Sequence, residues 1–152
     1  MSFEELLQAR RLRPHEPSRK EVADLFESAL RDLRHVQETT DPDWRFIAAY
    51  SAALSLATIP LAASGFRASG AGHHVTIIAA LPASLGPDSH ELMAYLNECR
   101  ALRNKALYDQ PYLVTAEKVS ELLQAADELQ ALVIAWLAAE HPGLLPSGRA
   151  DT

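Results

Sequence analysis

The chain has 152 residues and a mass of 16.7 kDa, a size that fits one domain able to bury a sizeable core. Its single cysteine, Cys99, excludes an intrachain disulfide and a cysteine-rich metal site, and this usage is typical of a reducing cytoplasm. The net charge of -6 argues against attraction of nucleic acid to the whole surface but leaves room for a local basic patch.

Residues 1–17 are predicted to form a short helix and a basic arm. Ser2 and Glu5 have the spacing of a capping box, which marks a helix start. The opening MSFEELL has no basic region before a long apolar core, so we expect no secretory signal. We expect the arm to lie outside the core, either as a solvated terminal segment or as a basic patch that favours RNA. Its basic residues are Arg10, Arg11, Arg13, Arg19 and Lys20.

Residues 18–142 are predicted to form the main helical domain. Ser18 and Glu21 make a second capping box, and apolar residues at helical spacing then continue to about Glu38. After the turn TTDPD, Asp43 is the expected N-cap of the next helix.

That next helix, over residues 44–64, contains a long uncharged stretch. Residues 46–66 carry no charge and are long enough to cross a bilayer. Alanine and serine dominate the stretch, however, and such residues gain little from lipid. We therefore predict a buried central helix and no membrane partner.

Three further helices follow a glycine-rich linker. One begins near His73 and must stop or kink at Pro82; the others cover residues 90–108 and the segment from just after Thr115 to about residue 140. Residues 143–152 have little to pack and are expected to be a mobile tail. We find no alternating pattern that predicts a strand. The predicted fold class is therefore all-α, a bundle of four or five helices.

An arginine interrupts the apolar stripe of the helix over residues 90–108. At about 100° per residue, Arg103 faces the same way as Leu92, Leu96 and Cys99. A guanidinium cannot lose its charge, so it needs a carboxylate, backbone carbonyls, a subunit interface or a bound anion.

Two interpretations of Arg103 follow. In the first, it pairs with an acid such as Asp109 or Asp127 and fixes the crossing of two helices. In the second, it forms an anion-binding or interface site together with Asn104 and Tyr108, with Asp109 beside them at the end of the helix.

The segment from about residue 20 to 142 resembles the HEPN domain family (higher eukaryotes and prokaryotes nucleotide-binding). The motif RNKALYD, residues 103–109, lies where that family has its catalytic arginine and a polar residue after it, near the end of the penultimate long helix. The alanine-rich second helix, the segment GFRASGAGHH and the leucine-rich last helix are also similar to the family pattern. The resemblance implies an α-helical bundle, often dimeric, whose active members cut RNA without a metal.

The sequence departs from the family at Tyr108, which stands where a histidine is expected. A tyrosine with an ordinary pKa of about 10 is a poor base at neutral pH. The resemblance thus predicts a nucleotide-, RNA- or partner-binding module without efficient catalysis. The alternative is a metal-independent endoribonuclease toxin with Arg103, Asn104 and Tyr108 as catalytic residues.

The partners expected from the resemblance are a second copy of the chain, RNA or a nucleotide, and a nucleotidyltransferase or another antitoxin-like protein of a toxin–antitoxin system. There is no glycine-rich phosphate loop of the Walker type, and we expect no cofactor. We expect the protein to be located in the cytoplasm.

Other candidate residues carry weaker signals. Arg67 and His73 match the catalytic spacing but lie in a glycine-rich linker, where spacing does not define geometry. His73, His74 and His90 lack the i, i+4 spacing of a helical metal site, so we expect no metal. Cys99 lies on the apolar stripe and is interpreted as a small core residue.

Overall fold

The computed structural model describes residues 1–148 and confirms a predominantly α-helical bundle. Four long helices form it, namely α2 (Arg19–Glu38), α3 (Pro42–Ala63), α6 (His90–Tyr108) and α7 (Ala116–Glu140). Shorter elements are α1 (Phe3–Gln8), β1 (Leu12–Pro14), β2 (Phe66–Ala68), α4 (His73–Ala79) and α5 (Leu81–Leu85). The helix that was expected to stop or kink at Pro82 is thus divided into α4 and α5.

The alanine-rich α3 is the central helix of the core. It packs most extensively against α2 and α7, and it also contacts α4, α5 and α6. Small side chains let the neighbouring helices approach closely, while large ones such as Phe46, Leu56 and Ile59 fill the space between them without any exposure. The prediction of a buried central helix is confirmed.

Two helices, α3 and α7, are long and apolar enough to cross a membrane by length and composition. In α3, 67% of the most apolar window is buried inside the molecule, against 39% in α7. A core helix passes the same test, so these two helices are weak evidence for a membrane.

The N-terminal segment is packed, and the prediction that it lies outside the core is wrong. Leu6 and Leu12 are buried with Leu61 and Ala80 in a second, smaller apolar cluster. Strand β1 pairs with β2 in antiparallel register, with Leu12 opposite Ala68. The two strands have three residues each, too short for an alternating pattern to reveal them.

The C-terminal segment also differs from the expected mobile tail. A 3₁₀ turn covers Pro142–Leu144, Leu145 is buried, and Arg19 donates a hydrogen bond to the Ser147 hydroxyl at 3.1 Å. Residues 149–152 of the predicted tail lie outside the described part of the chain.

Candidate anion-binding site

Arg103 lies half-buried on α6, with its guanidinium over a buried aromatic ring. The guanidinium carbon is 5.6 Å from the centre of the Tyr50 ring. Its Nη1 donates a long hydrogen bond of 3.3 Å to Oδ1 of Asn104, and its Nε is buried without an acceptor. Because a guanidinium has five N–H donors, most of the hydrogen-bonding capacity of Arg103 is unused by the chain.

Arg103 does not form the ion pair that was one of its two predicted roles. Over residues 1–148 no carboxylate pairs with it. Asp109 is exposed at the C-cap of α6, and Asp127 is exposed on α7. The proposed structural pair with either aspartate is therefore wrong, and the positive charge is left without a partner within the described chain.

Tyr50 connects Arg103 to a histidine. The Tyr50 hydroxyl lies 3.1 Å from Nδ1 of His74, and the centres of the two rings are 5.7 Å apart. Burial raises the pKa of Tyr50 to about 12, although the positive charges of Arg103 and Arg100 act in the opposite direction. The hydroxyl therefore keeps its proton at neutral pH and donates to Nδ1 when the His74 proton is on Nε2.

His74 experiences the positive field of its neighbours. Burial lowers the pKa of His74 most, and the charges of Arg103, Arg100 and His73 lower it further. We call Arg100 and Arg103, with His73 and His74 beside them, the cationic cluster, since the two arginines carry its permanent charge. An anion placed among these groups would satisfy the free donors of Arg103 and reduce the repulsion between them.

Of the other residues predicted for this site, one contacts Arg103 and two do not. Asn104 contacts Arg103 through the hydrogen bond described above. Tyr108 is 78% exposed on the last turn of α6, and neither it nor Asp109 is joined to Arg103 by a hydrogen bond, ion pair or ring contact in the described chain. Instead, Tyr50 and His74 lie beside Arg103, and the sequence predicted neither for this site; His74 was considered only as a metal ligand.

A buried carboxylate, Asp43, holds the segment that follows α6. Its two oxygens accept the backbone N–H groups of Tyr112 at 2.6 Å and Val114 at 3.0 Å. Asp43 was predicted to be the N-cap of α3, but Asp41 occupies that position and accepts the N–H of Asp43 itself. The role of Asp43 is therefore to attach the end of α6 to the start of α3.

Arg67 is engaged elsewhere in the molecule. Its Nη2 lies 3.1 Å from Glu21, which also contacts His15 at 2.8 Å, so this arginine belongs to an ion-paired group beside β1 and β2. Nothing in the described chain joins it to His73. Residues 1–148 contain no group of three histidine, cysteine or acidic side chains that could hold a metal.

Cys99 is a buried side chain of the α6 stripe, as the sequence predicted. Burial raises the pKa of its thiol to about 11. The thiol is therefore protonated at neutral pH and is a poor nucleophile.

Comparison with known proteins adds no relative. No protein-family model matches the chain, and no curated protein and no solved structure gives a significant match. The resemblance to the HEPN family consequently stays a prediction that depends on the residues quoted above.

The charge of Arg103 is expected to be measurable at His74. Replacing Arg103 by glutamine removes one of the cations that lower the pKa of His74, so that pKa should rise. NMR titration of the histidine ring protons measures it directly. Arg31→Gln, an exposed site on α2, is the matched control and should leave the His74 titration unchanged. An unchanged pKa in Arg103→Gln would show that Arg103 does not act on His74.

Proposed function

We propose that the chain is a HEPN-like helical module that binds phosphate groups of RNA or a nucleotide through Arg103 and lacks efficient catalysis. The observation that carries the proposal is the half-buried Arg103, whose guanidinium makes one long hydrogen bond, to Asn104, and has no carboxylate partner in residues 1–148. A planar guanidinium with free donors matches the oxygens of a phosphate.

The basic N-terminal segment supports RNA as the ligand. Arg11 donates from Nε to the Thr76 hydroxyl at 3.1 Å, which attaches the segment to α4, the helix that also carries His74. Arg10 and Arg13 remain exposed beside it. Because phosphate binding by arginine releases counterions, the affinity for a polynucleotide should fall as salt rises.

Contact with a protein partner is the second part of this proposal. Trp44, Tyr108 and Tyr112 are all exposed, at 58%, 78% and 89%, and Trp44 and Tyr112 line one cleft between α3 and the end of α6. Aromatic side chains are enriched in protein interfaces. This surface supports binding of a second copy of the chain or of a nucleotidyltransferase or other antitoxin-like protein, in a cytoplasmic toxin–antitoxin system.

The alternative function is a metal-independent endoribonuclease. It is favoured by His74, whose Nδ1 lies 3.1 Å from the hydroxyl of the same Tyr50 ring that the Arg103 guanidinium contacts. Burial lowers the pKa of His74, which favours the neutral imidazole that a general base requires. It is disfavoured by Tyr108, which stands in the histidine position of the family motif and makes no contact with Arg103.

RNA binding tests the proposal. We expect wild-type protein to bind a fluorescein-labelled single-stranded RNA in fluorescence anisotropy without added metal. Arg103→Gln should weaken binding roughly ten- to hundredfold, because a hydrogen bond to a charged group contributes about 1.5–3 kcal/mol. Arg31→Gln changes the net charge equally at an exposed site and should weaken binding much less.

The same samples distinguish the two functions. Equal affinities of wild type and Arg103→Gln would overturn the proposed site. Rapid cleavage of the RNA by wild type that disappears in Arg103→Gln would establish the endoribonuclease. A Tyr108→His variant shows whether a histidine in the family position increases cleavage.

A further inference from the structure

A further buried carboxylate, Asp32, lies between α2 and α3 and is not part of the cationic cluster. The Asp32 carboxylate is 8% exposed, and its Oδ2 accepts a hydrogen bond of 2.7 Å from the Ser51 hydroxyl. No lysine, arginine or histidine of residues 1–148 pairs with it. Burying a carboxylate is costly unless a cation or several donors compensate it.

The carboxylate is part of the wall of an open groove with about 460 Å³ of space. Ser51 and Trp44 are seven residues apart on α3, which places them on the same face at a distance of roughly 10 Å. Ile47 and Ala48 lie between them and give the groove an apolar floor. The groove thus has a carboxylate at one end and the 58% exposed indole of Trp44 at the other.

We propose that this groove binds an organic ammonium ion with an apolar body. The ammonium group donates to the Asp32 carboxylate, the hydrocarbon stem lies on Ala48 and Ile47, and the apolar body packs against Trp44. The ligand class is therefore a primary amine that carries an aromatic or branched apolar group several bonds from its nitrogen.

Two features favour an ammonium over a guanidinium. Ser51 already donates to Oδ2 of Asp32, which leaves fewer lone pairs of that oxygen for the two parallel donors of a guanidinium. The small exposed fraction of Asp32 also suits a compact head group. An ammonium is a compact point charge and needs only one strong acceptor.

Trp44 fluorescence provides the test, with 4-phenylbutylammonium as the probe at pH 8. Trp136, which contacts the ring of His141, is replaced by phenylalanine so that Trp44 alone reports binding. We expect a saturable fluorescence change with the amine and none with neutral 4-phenyl-1-butanol at the same concentrations. In the Trp136→Phe background, Asp32→Asn should weaken binding roughly ten- to hundredfold, since it removes a charge-assisted hydrogen bond.

Asp24→Asn is the matched control on the same helix. Asp24 is exposed and paired with Lys20, so its change should leave amine binding intact. Equal binding of the amine by Asp32→Asn, or equal binding of the alcohol by the parent protein, would overturn the proposal.

Two further measurements keep the test independent of folding and of the phosphate site. If Asp32→Asn fails to fold, the amide chemical shifts of the wild-type protein are measured during addition of the amine instead. The shifts should change only in the facing parts of α2 and α3. Changes elsewhere would contradict the site. Arg103→Gln should bind the amine as well as wild type does, so failure of the phosphate site and failure of the amine groove are separate results.

Discussion

Replacing Asp43 by alanine is expected to lower the free energy of unfolding by about 2–5 kcal/mol, because two backbone N–H groups lose their acceptor. The amides of Tyr112 and Val114 both donate to this carboxylate, and Val114 is only 6% exposed. Water cannot easily replace the lost acceptor at Val114. Tyr112 also has a positive φ of 59°, a conformation that costs a residue with a large side chain and that Asp43 helps to maintain.

Urea unfolding followed by circular dichroism measures the effect. For a chain of this size the loss corresponds to a fall in Tm of roughly 5–15 °C. Asp43→Asn keeps one acceptor oxygen and should have an intermediate effect. Asp109→Ala, which removes an exposed carboxylate at the end of α6, should change stability by less than about 0.5 kcal/mol. A similar small loss in Asp43→Ala would contradict the anchoring role.

The predicted helix boundaries show which rules could be applied from the sequence alone. Ser18 caps α2 as expected, and α7 begins directly after Thr115 as expected, with Thr115 as its cap. A hydroxyl residue directly before an apolar helical pattern has few other interpretations. The turn before α3 contains two aspartates, Asp41 and Asp43, and the prediction of Asp43 as the N-cap is wrong. Pro42 resolves the choice, because proline favours the first helical position and makes Asp41 the cap.

The short strands and the packed N-terminal segment could not be predicted in the same way. Leu12 pairs with Ala68, far away in the sequence, and each strand is too short to show a period. The proline-broken, basic segment therefore resembled a solvated arm. Its attachment depends on contacts such as that of Leu6 with the second apolar cluster, which no local pattern encodes.

The sequence predicted which way Arg103 faces but not which residues of other helices surround it. The helical period correctly placed Arg103 on the inward face of α6, where it is half-buried. It could not identify which side chains of other helices lie opposite. The sequence indicated only that Tyr50 belongs to an uncharged core helix. A buried tyrosine hydroxyl normally requires a hydrogen-bond partner, however, and His74 is that partner.

Arg103→Met is expected to leave the free energy of unfolding unchanged or to raise it by up to about 2.5 kcal/mol. The substitution loses the contact with the Tyr50 ring, worth about 0.5–1 kcal/mol. It also removes the buried Nε that has no acceptor, whose desolvation costs about 1–3 kcal/mol. Had Arg103 been paired with a buried acid, the same change would cost about 3–5 kcal/mol.

Urea unfolding of wild type and Arg103→Met distinguishes an unpaired Arg103 from one paired with a buried acid, because the free energies of unfolding expected in the two cases differ by several kcal/mol. Arg100→Met is measured beside them as the neighbouring arginine of the same helix. Adding the single-stranded RNA should raise the Tm of wild type, since a ligand that binds only the folded state stabilises it. The Arg103→Met protein should gain much less from the same RNA. A loss of 3 kcal/mol or more without RNA, with an equal RNA-induced rise in Tm, would make Arg103 a structural residue and remove the main support for a phosphate site. A stable variant that no longer responds to RNA is the expected result, because a charge that the chain itself leaves unpaired contributes to binding rather than to folding.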